Sequence, residues 1–363
     1  MHKIIKPVIL PEDNGPHDYS VEWWYFNGHL KDKEGKEYSF MDCLFKVDLT
    51  KINLLHILNN PLRSHFQKGE YICFSHSVIS DILKGKNYKE IQNISLTSSD
   101  SFKRGKFFVN YINPNIFGGY VNSEIKELDS NGFHIKTGGL DLILKSRKEP
   151  LLEGGHGYVG TPKDGSYYYS LTDMSTSGTL NINGKEIEVK GKAWMDHQWA
   201  DTVYNKDKKD KWTWFSFQLE NGTDIMCVEY DKGDEIRVLV NISDRDGKQS
   251  QYEKAVLTPS INVWKSDKTK AEYPTSWHIE IPGGNIEIDT SSTMDDQEMV
   301  FGQVNYWEGP MSVVARIDGK KIKGKGFMEL VGYPSDYNYL LLTGEEIEKN
   351  IFKKIKKFFK NKK

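Results

Sequence analysis

Apolar and polar positions alternate along this chain in short runs, and turn-forming dipeptides separate the runs. Phe133-His134-Ile135-Lys136, Leu140-Asp141-Leu142-Ile143-Leu144, Glu186-Ile187-Glu188-Val189 and Trp212-Thr213-Trp214-Phe215-Ser216-Phe217 are rich in β-branched and aromatic residues. Between such runs lie Asn131-Gly132, Asp164-Gly165, Asn183-Gly184, Asn221-Gly222, Asp246-Gly247 and Asp318-Gly319. Both residues of each pair tolerate positive φ, which a tight hairpin requires. Long helical periodicity is nearly absent, so the pattern predicts an antiparallel all-β protein, a barrel or a sandwich. Two segments depart from it. Residues 51–68, with Leu54, Leu55, Ile57 and Leu58, suit a short helix ahead of Pro61. Residues 344–360 place Ile347, Ile351, Ile355, Phe358 and Phe359 at helical spacing with lysines between them. The small polar stretch Ser175-Thr176-Ser177-Gly178 divides the body into halves of similar hairpin content. The expected organisation is therefore a domain over 1–176, a second over 177–343 and a basic tail over 344–363.

Two strands concentrate aromatic and titratable residues. In Glu22-Trp23-Trp24-Tyr25-Phe26-Asn27-Gly28-His29-Leu30, the period of two puts Trp23, Tyr25, Asn27 and His29 on one face. Trp24, Phe26 and Leu30, with Glu22 at the end, form the other. In Ala193-Trp194-Met195-Asp196-His197-Gln198-Trp199, Met195, His197 and Trp199 share one face and Trp194, Asp196 and Gln198 the opposite one. Each strand can be read as core with satisfied polar handles, or as the wall of an apolar pocket with a few convergent polar groups. Two such strands in one chain favour a shared cavity. The Trp212–Phe215 run is expected to pair as a hairpin with the His197 strand, and Tyr169, Tyr306 and Trp307 add further amphipathic rings.

Composition narrows the function classes. The net charge is −2 over 363 residues, which implies no general affinity for nucleic acid. Residues 349–363 carry eight lysines and no acid, leaving the first 348 residues near −10 once those charges are removed. The basic tail fits either an anionic membrane surface or a terminal helix packed on the body. Three widely spaced cysteines, Cys43, Cys73 and Cys227, match neither a disulfide framework nor a zinc spacing. No signal-peptide pattern is present, and no run reaches the roughly 18 apolar residues of a membrane span. The expectation is a cytoplasmic protein, peripheral at the membrane if the tail binds lipid. Gly155-His156-Gly157-Tyr158-Val159-Gly160 has the letters of a dinucleotide loop, but Thr161-Pro162 and a β run follow it instead of a helix. No nucleophile elbow and no histidine metal spacing occur, so neither metal nor cofactor is expected.

Glu22-Trp23-Trp24-Tyr25-x-x-Gly28 together with Gly191-x-Ala193-Trp194-Met195-Asp196-His197-Gln198-Trp199 resembles the AttH-like/carotenoid 1,2-hydratase family. Tyr168-Tyr169-Ser170-Leu171, Trp212-x-Trp214-Phe215, Tyr306-Trp307-Glu308-Gly309 and Gly326-Phe327-Met328-Glu329-Leu330 follow in family order. The resemblance implies two consecutive lipocalin-like β-barrels with a ligand cavity lined by both. It also implies activity on apolar polyenes, isoprenoids or polyketides without metal or redox cofactor. Hydrating an unactivated alkene needs a strong Brønsted acid, tolerance of positive charge and a placed water. The family's His-x-Trp pair makes His197 the acid/base and Trp199 the cation-stabilising wall, with Asp196 an orienter on the other face. Glu22, Trp23, Trp24, Tyr25, Asn27, Tyr169, Trp194, Trp214 and Tyr306 are the expected substrate-binding set. The Tyr-x-Asp acid of the hydratase branch is missing from Thr223–Asp231, where Asp224 or Glu229 could replace it only by pointing inwards. Two functions follow: a hydratase, isomerase or cyclase acting on a lipophilic substrate, or a non-catalytic carrier of a lipophilic molecule.

Overall fold

The computed structural model describes residues 5–48, 70–91, 95–98, 108–114, 120–129, 131–137, 139–162, 164–201, 211–233, 235–301 and 304–333. The segments 51–68 and 344–363, read above as helical, lie outside them. Two curled antiparallel sheets account for nearly all of the described chain, one of 13 strands and one of ten, beside a two-stranded ribbon. Among the described residues the helical pieces are short 3-10 turns such as Glu12–Asn14.

Each sheet is wound so that its last long strand returns beside its first. Val21–Asp32 lies between Glu37–Asp48 and Lys185–Ala200, and Ser166–Ile182 follows on the far side. Lys211–Leu219 lies between Asp224–Asp231 and Lys320–Val331, with Val304–Ile317 next. The predicted turns sit where hairpin geometry needs them: Asn183-Gly184 joins Ser166–Ile182 to Lys185–Ala200, and Asp318-Gly319 joins the last two strands. All four residues have positive φ. Glycine also permits the tight coiling. A Cβ at Gly191 would collide with the His29 carbonyl oxygen, and one at Gly326 with that of Ser216.

Two expectations are corrected here. The boundary at 176/177 falls inside the strand Ser166–Ile182, and residues 177–200 continue in the first sheet, which ends at Ala200. The small residues there are not a linker. Gly178 lets the Asp141 backbone approach, since a Cβ would meet its carbonyl oxygen. The Trp212–Phe215 run, moreover, does not pair with the His197 strand, because its two edges are taken by Asp224–Asp231 and Lys320–Val331. It meets the first sheet face to face.

Three apolar clusters result. One fills the curl of the first sheet around Trp24, Phe26, Phe133 and Trp199, and one fills the second around Phe215, Trp277, Trp307 and Met328. The third joins the sheets and contains Tyr25, Met41, Tyr168, Trp194, Trp214, Met226, Tyr306 and Phe327.

Candidate functional site: an acid cluster between the sheets

Strand pairing carries the alternation across both sheets, because residues opposite each other share a face. Tyr25 stands opposite Asp196, and Asp196 opposite Ser170. These three project between the sheets with Asn27, Trp194 and Tyr168. The second sheet answers with Trp214 and with Glu308, which stands opposite Glu329.

Asp196 is buried and accepts three hydrogen bonds. Tyr168 Oη donates to Oδ2 at 2.6 Å, while Trp194 Nε1 and Ser170 Oγ reach Oδ1 at 2.6 Å each. Trp214 Nε1 donates to Tyr168 Oη at 3.0 Å, which ties the acid to the second sheet. Burial pushes the Asp196 carboxyl up to about 7, although the three donors pull it down. Behind Ser170 lies Glu153, fully buried, with Oε1 2.8 Å from Ser170 Oγ and Oε2 accepting from Asn241 Nδ2 at 2.5 Å. Burial, then the Asp196 charge, raises Glu153 well above the usual carboxylate range.

On the facing wall Tyr25 Oη donates to Glu308 Oε1 at 2.5 Å, and Trp212 Nε1 donates to Glu329. Burial and then the neighbouring Glu329 carboxyl push Glu308 well up, and burial raises Glu329 too. Two carboxyls in contact cannot both ionise at low cost, so the pair retains a proton. Among the described residues none of Glu153, Asp196, Glu308 and Glu329 is ion-paired with a lysine or arginine. Among the described residues, the buried Asn27 Nδ2 on these walls has no hydrogen-bond partner. Nearby, His76 Nδ1 and Tyr306 Oη are 2.7 Å apart, and burial holds His76 down at about 3, neutral near pH 7.

The expected site therefore divides between two faces. Trp23, Tyr25, Asn27, Trp194, Asp196, Trp214 and Tyr306 lie on the inter-sheet side, Trp23 half-buried and tilted against Phe45. Glu22, Trp24, Tyr169, His197 and Trp199 lie within the first sheet instead. One strand cannot present adjacent residues to the same side, so a single inter-barrel cavity holding both His197 and Asp196 is excluded by the pleat. Inside the first sheet His197 Nε2 is 2.8 Å from Glu22 Oε1, and His17 Nδ1 is 2.7 Å from the same oxygen. The His17 ring stacks on Trp199 at 3.8 Å. Buried Lys46 pairs with Glu22 Oε2 at 2.8 Å. Burial opposes ionisation of Glu22, but Lys46 and the histidines hold it below the usual range. Burial lowers His197 to about 4, so it is neutral near pH 7. His17, Glu22 and His197 bring three ligand-type atoms within 4.8 Å of one another, yet the Lys46 ammonium already serves as counter-cation to the carboxylate. The cluster reads as an internal lock on the first sheet.

Of the two replacements considered for the missing Tyr-x-Asp, Asp224 is buried against Lys148 Nζ at 2.6 Å, and burial raises it to about 6. Glu229 alternates to the other face, beside the second sheet's own core. Tyr168, Ser170, Glu153, Glu308 and Glu329 escaped the sequence reading. Glu308 and Glu329 carried a signal: each is the one carboxylate of its strand and lies at the phase of an aromatic residue, Tyr306 and Phe327. Tyr168 carried none, because Tyr167-Tyr168-Tyr169 is aromatic on both faces.

Two tandem curled sheets define a lipocalin-like architecture, with a buried acid–tyrosine–tryptophan cluster between them as the candidate site. Residues 3–333 match the AttH-like family, and the chain belongs to it. A putative AttH from Nitrosomonas europaea is 25% identical, with a TM-score of 0.72 over 90% of this chain and 98% of that one. Kievitone hydratase from Nectria haematococca shares the fold at 16% identity, with a TM-score of 0.66 over 90% and 93% of the two chains. The dehydratase asqC of Emericella nidulans is 22% identical over 204 residues, 53% of this chain and 57% of that protein. The match thus spans little more than half of that relative's length.

Proposed function

We propose that this chain is a hydratase or dehydratase that adds water to, or removes it from, an isoprenoid, polyene or polyketide-like substrate between the two sheets. The observation that carries this reading is Asp196: a carboxyl balanced near neutrality, held by Tyr168, Ser170 and Trp194 and walled by aromatic rings. A general acid works best when its pKa lies near the working pH, which in such a site comes from burial. The likeness to kievitone hydratase and to the dehydratase asqC supports the same reaction class.

In the dehydration direction Asp196 gives its proton to the leaving hydroxyl, the C–O bond breaks and water forms. The Glu308–Glu329 pair takes the C–H proton, and that electron pair becomes the double bond. Hydration is the reverse. The ring faces of Trp194, Trp214 and Tyr25 can stabilise positive charge developing on carbon, by up to about 2 kcal/mol for a face that is shielded from water. Asn27 Nδ2, a buried donor without an acceptor, is placed to bind a substrate oxygen. His197 and Trp199 take no part in this step, because they face the first sheet's interior.

The test is a panel of lipophilic alkenes and alcohols incubated with the full chain in ¹⁸O-labelled water and read by mass spectrometry. Label incorporation or water loss that disappears in Asp196→Asn supports the proposal. Tight binding of panel members without chemistry, unchanged in Asp196→Asn, would establish the carrier instead.

A further inference from the structure

We infer that Glu153 is a proton reservoir for Asp196, coupled to it through the Ser170 hydroxyl, and thus a positioning residue of the site. This rests on the reading of Asp196 as the proton-transferring group. Ser170 Oγ lies 2.6 Å from Asp196 Oδ1 and 2.8 Å from Glu153 Oε1, both hydrogen-bond distances. A serine hydroxyl has one proton and can donate to only one of them. The other contact is a hydrogen bond only if that carboxyl itself carries a proton and donates to Ser170 Oγ. Two ionised carboxylates around one hydroxyl would leave an oxygen–oxygen contact with no hydrogen in it, buried and without a cation among the described residues. The unit Glu153–Ser170–Asp196 therefore holds one proton between two carboxyls.

The remaining contacts say where it rests. Asp196 already receives Tyr168 Oη and Trp194 Nε1, which stabilise its ionised form. Among the described residues, Glu153 receives only the Asn241 amide besides Ser170, and the groups that bear on it are Asp196, Tyr168 and Tyr230, none of them cationic. In the resting arrangement Glu153 is the acid, Ser170 the relay and Asp196 the carboxylate. In the alternative, the Glu153 O–H bond breaks as a new Ser170 O–H forms, and the original Ser170 O–H breaks as Asp196 Oδ1–H forms. No electron changes hands, and the only product is the Glu153 carboxylate. Asp196 can thus be made the acid for one proton transfer without water reaching the seam. Glu153 is suited to this role by its place in the turn Glu153–Gly155, where Gly155 is exposed while Glu153 itself is buried.

Isotope-edited infrared spectroscopy of the full chain, carrying ¹³C-carboxyl glutamate, tests this without any substrate. At neutral pH a protonated glutamate band is expected beyond that of the Glu308–Glu329 pair. Glu153→Gln should abolish it, Ser170→Ala should shift it as its hydrogen bond is lost, and Ser170→Thr should restore its position by returning the hydroxyl. A band count unchanged by Glu153→Gln, or a frequency unchanged by Ser170→Ala, overturns the inference. If Glu153→Gln does not fold by near-ultraviolet circular dichroism, the Ser170 pair of variants decides alone. Failure of the labelled-water panel with these bands as expected would sink the hydratase reading and leave the shared proton standing.

Discussion

Replacing Asp196 with asparagine should make the protein more stable at alkaline pH and less stable at acid pH, a sign reversal that only a strained carboxyl predicts. Burial raises Asp196 from its ordinary 3.8 to about 7. The folded state therefore binds this proton more tightly than the unfolded chain does. Its contribution is fully present below the unfolded value and is lost as the pH rises through the folded one. The whole penalty is about 4 kcal/mol, of which about 3 kcal/mol falls between about pH 4.5 and about pH 8. Asparagine cannot ionise and escapes this loss. It pays elsewhere, because an amide NH₂ facing Tyr168 Oη forces that hydroxyl to accept, leaving its proton without a partner at about 1–3 kcal/mol. The variant should accordingly exceed wild type at the alkaline end by about 1–3 kcal/mol and fall below it at the acid end. Urea denaturation at both pH values, followed by tryptophan fluorescence, measures the difference. A wild-type-minus-variant gap that moves by less than about 1 kcal/mol across that range would refute the argument that Asp196 is a costly, functionally retained acid.

Tyr168→Phe should lower turnover about 10²-fold while the fold is kept, since it removes one donor to Asp196 and the acceptor of Trp214 Nε1; steady-state kinetics on any panel substrate checks this. His197→Gln should depress the melting temperature but leave any turnover found with the labelled-water panel within a few-fold, and a loss comparable to that of Asp196→Asn would move the chemistry into the first sheet. Lys46→Met leaves Glu22 buried without its cation and should cost about 3–5 kcal/mol in equilibrium unfolding. Gly191→Ala drives a methyl into the His29 carbonyl and should cost about 1–3 kcal/mol or more, with the alanine at exposed Gly184 as a milder comparison.

Much of this architecture was legible in the chain itself. The turn dipeptides and alternating runs announced an antiparallel β protein, and Asn183-Gly184 and Asp318-Gly319 close hairpins as their chemistry requires. The period of two correctly separated His197 and Trp199 from Asp196 and Trp194, and Trp24 from Tyr25. In the sequence imidazole outweighed carboxylate, and the acid role proposed here moves from His197 to Asp196. His197 is the more reactive residue type near neutral pH in water, but burial beside Glu22 and Lys46 keeps it neutral and committed to a lock. Asp196, an ordinary acid in water, is the one that burial carries to neutrality.

Local sequence thus determined the strands, the turns and the membership of each face, because backbone geometry couples neighbouring residues with a fixed period. It could not say which face meets which. Glu308 comes within 2.5 Å of Tyr25, and Trp214 within 3.0 Å of Tyr168, only because two sheets far apart along the chain pack together. Glu153 meets Ser170 because a short turn folds beneath the seam. The desolvation that makes these carboxyls useful is a property of that packing, and no single strand contains it.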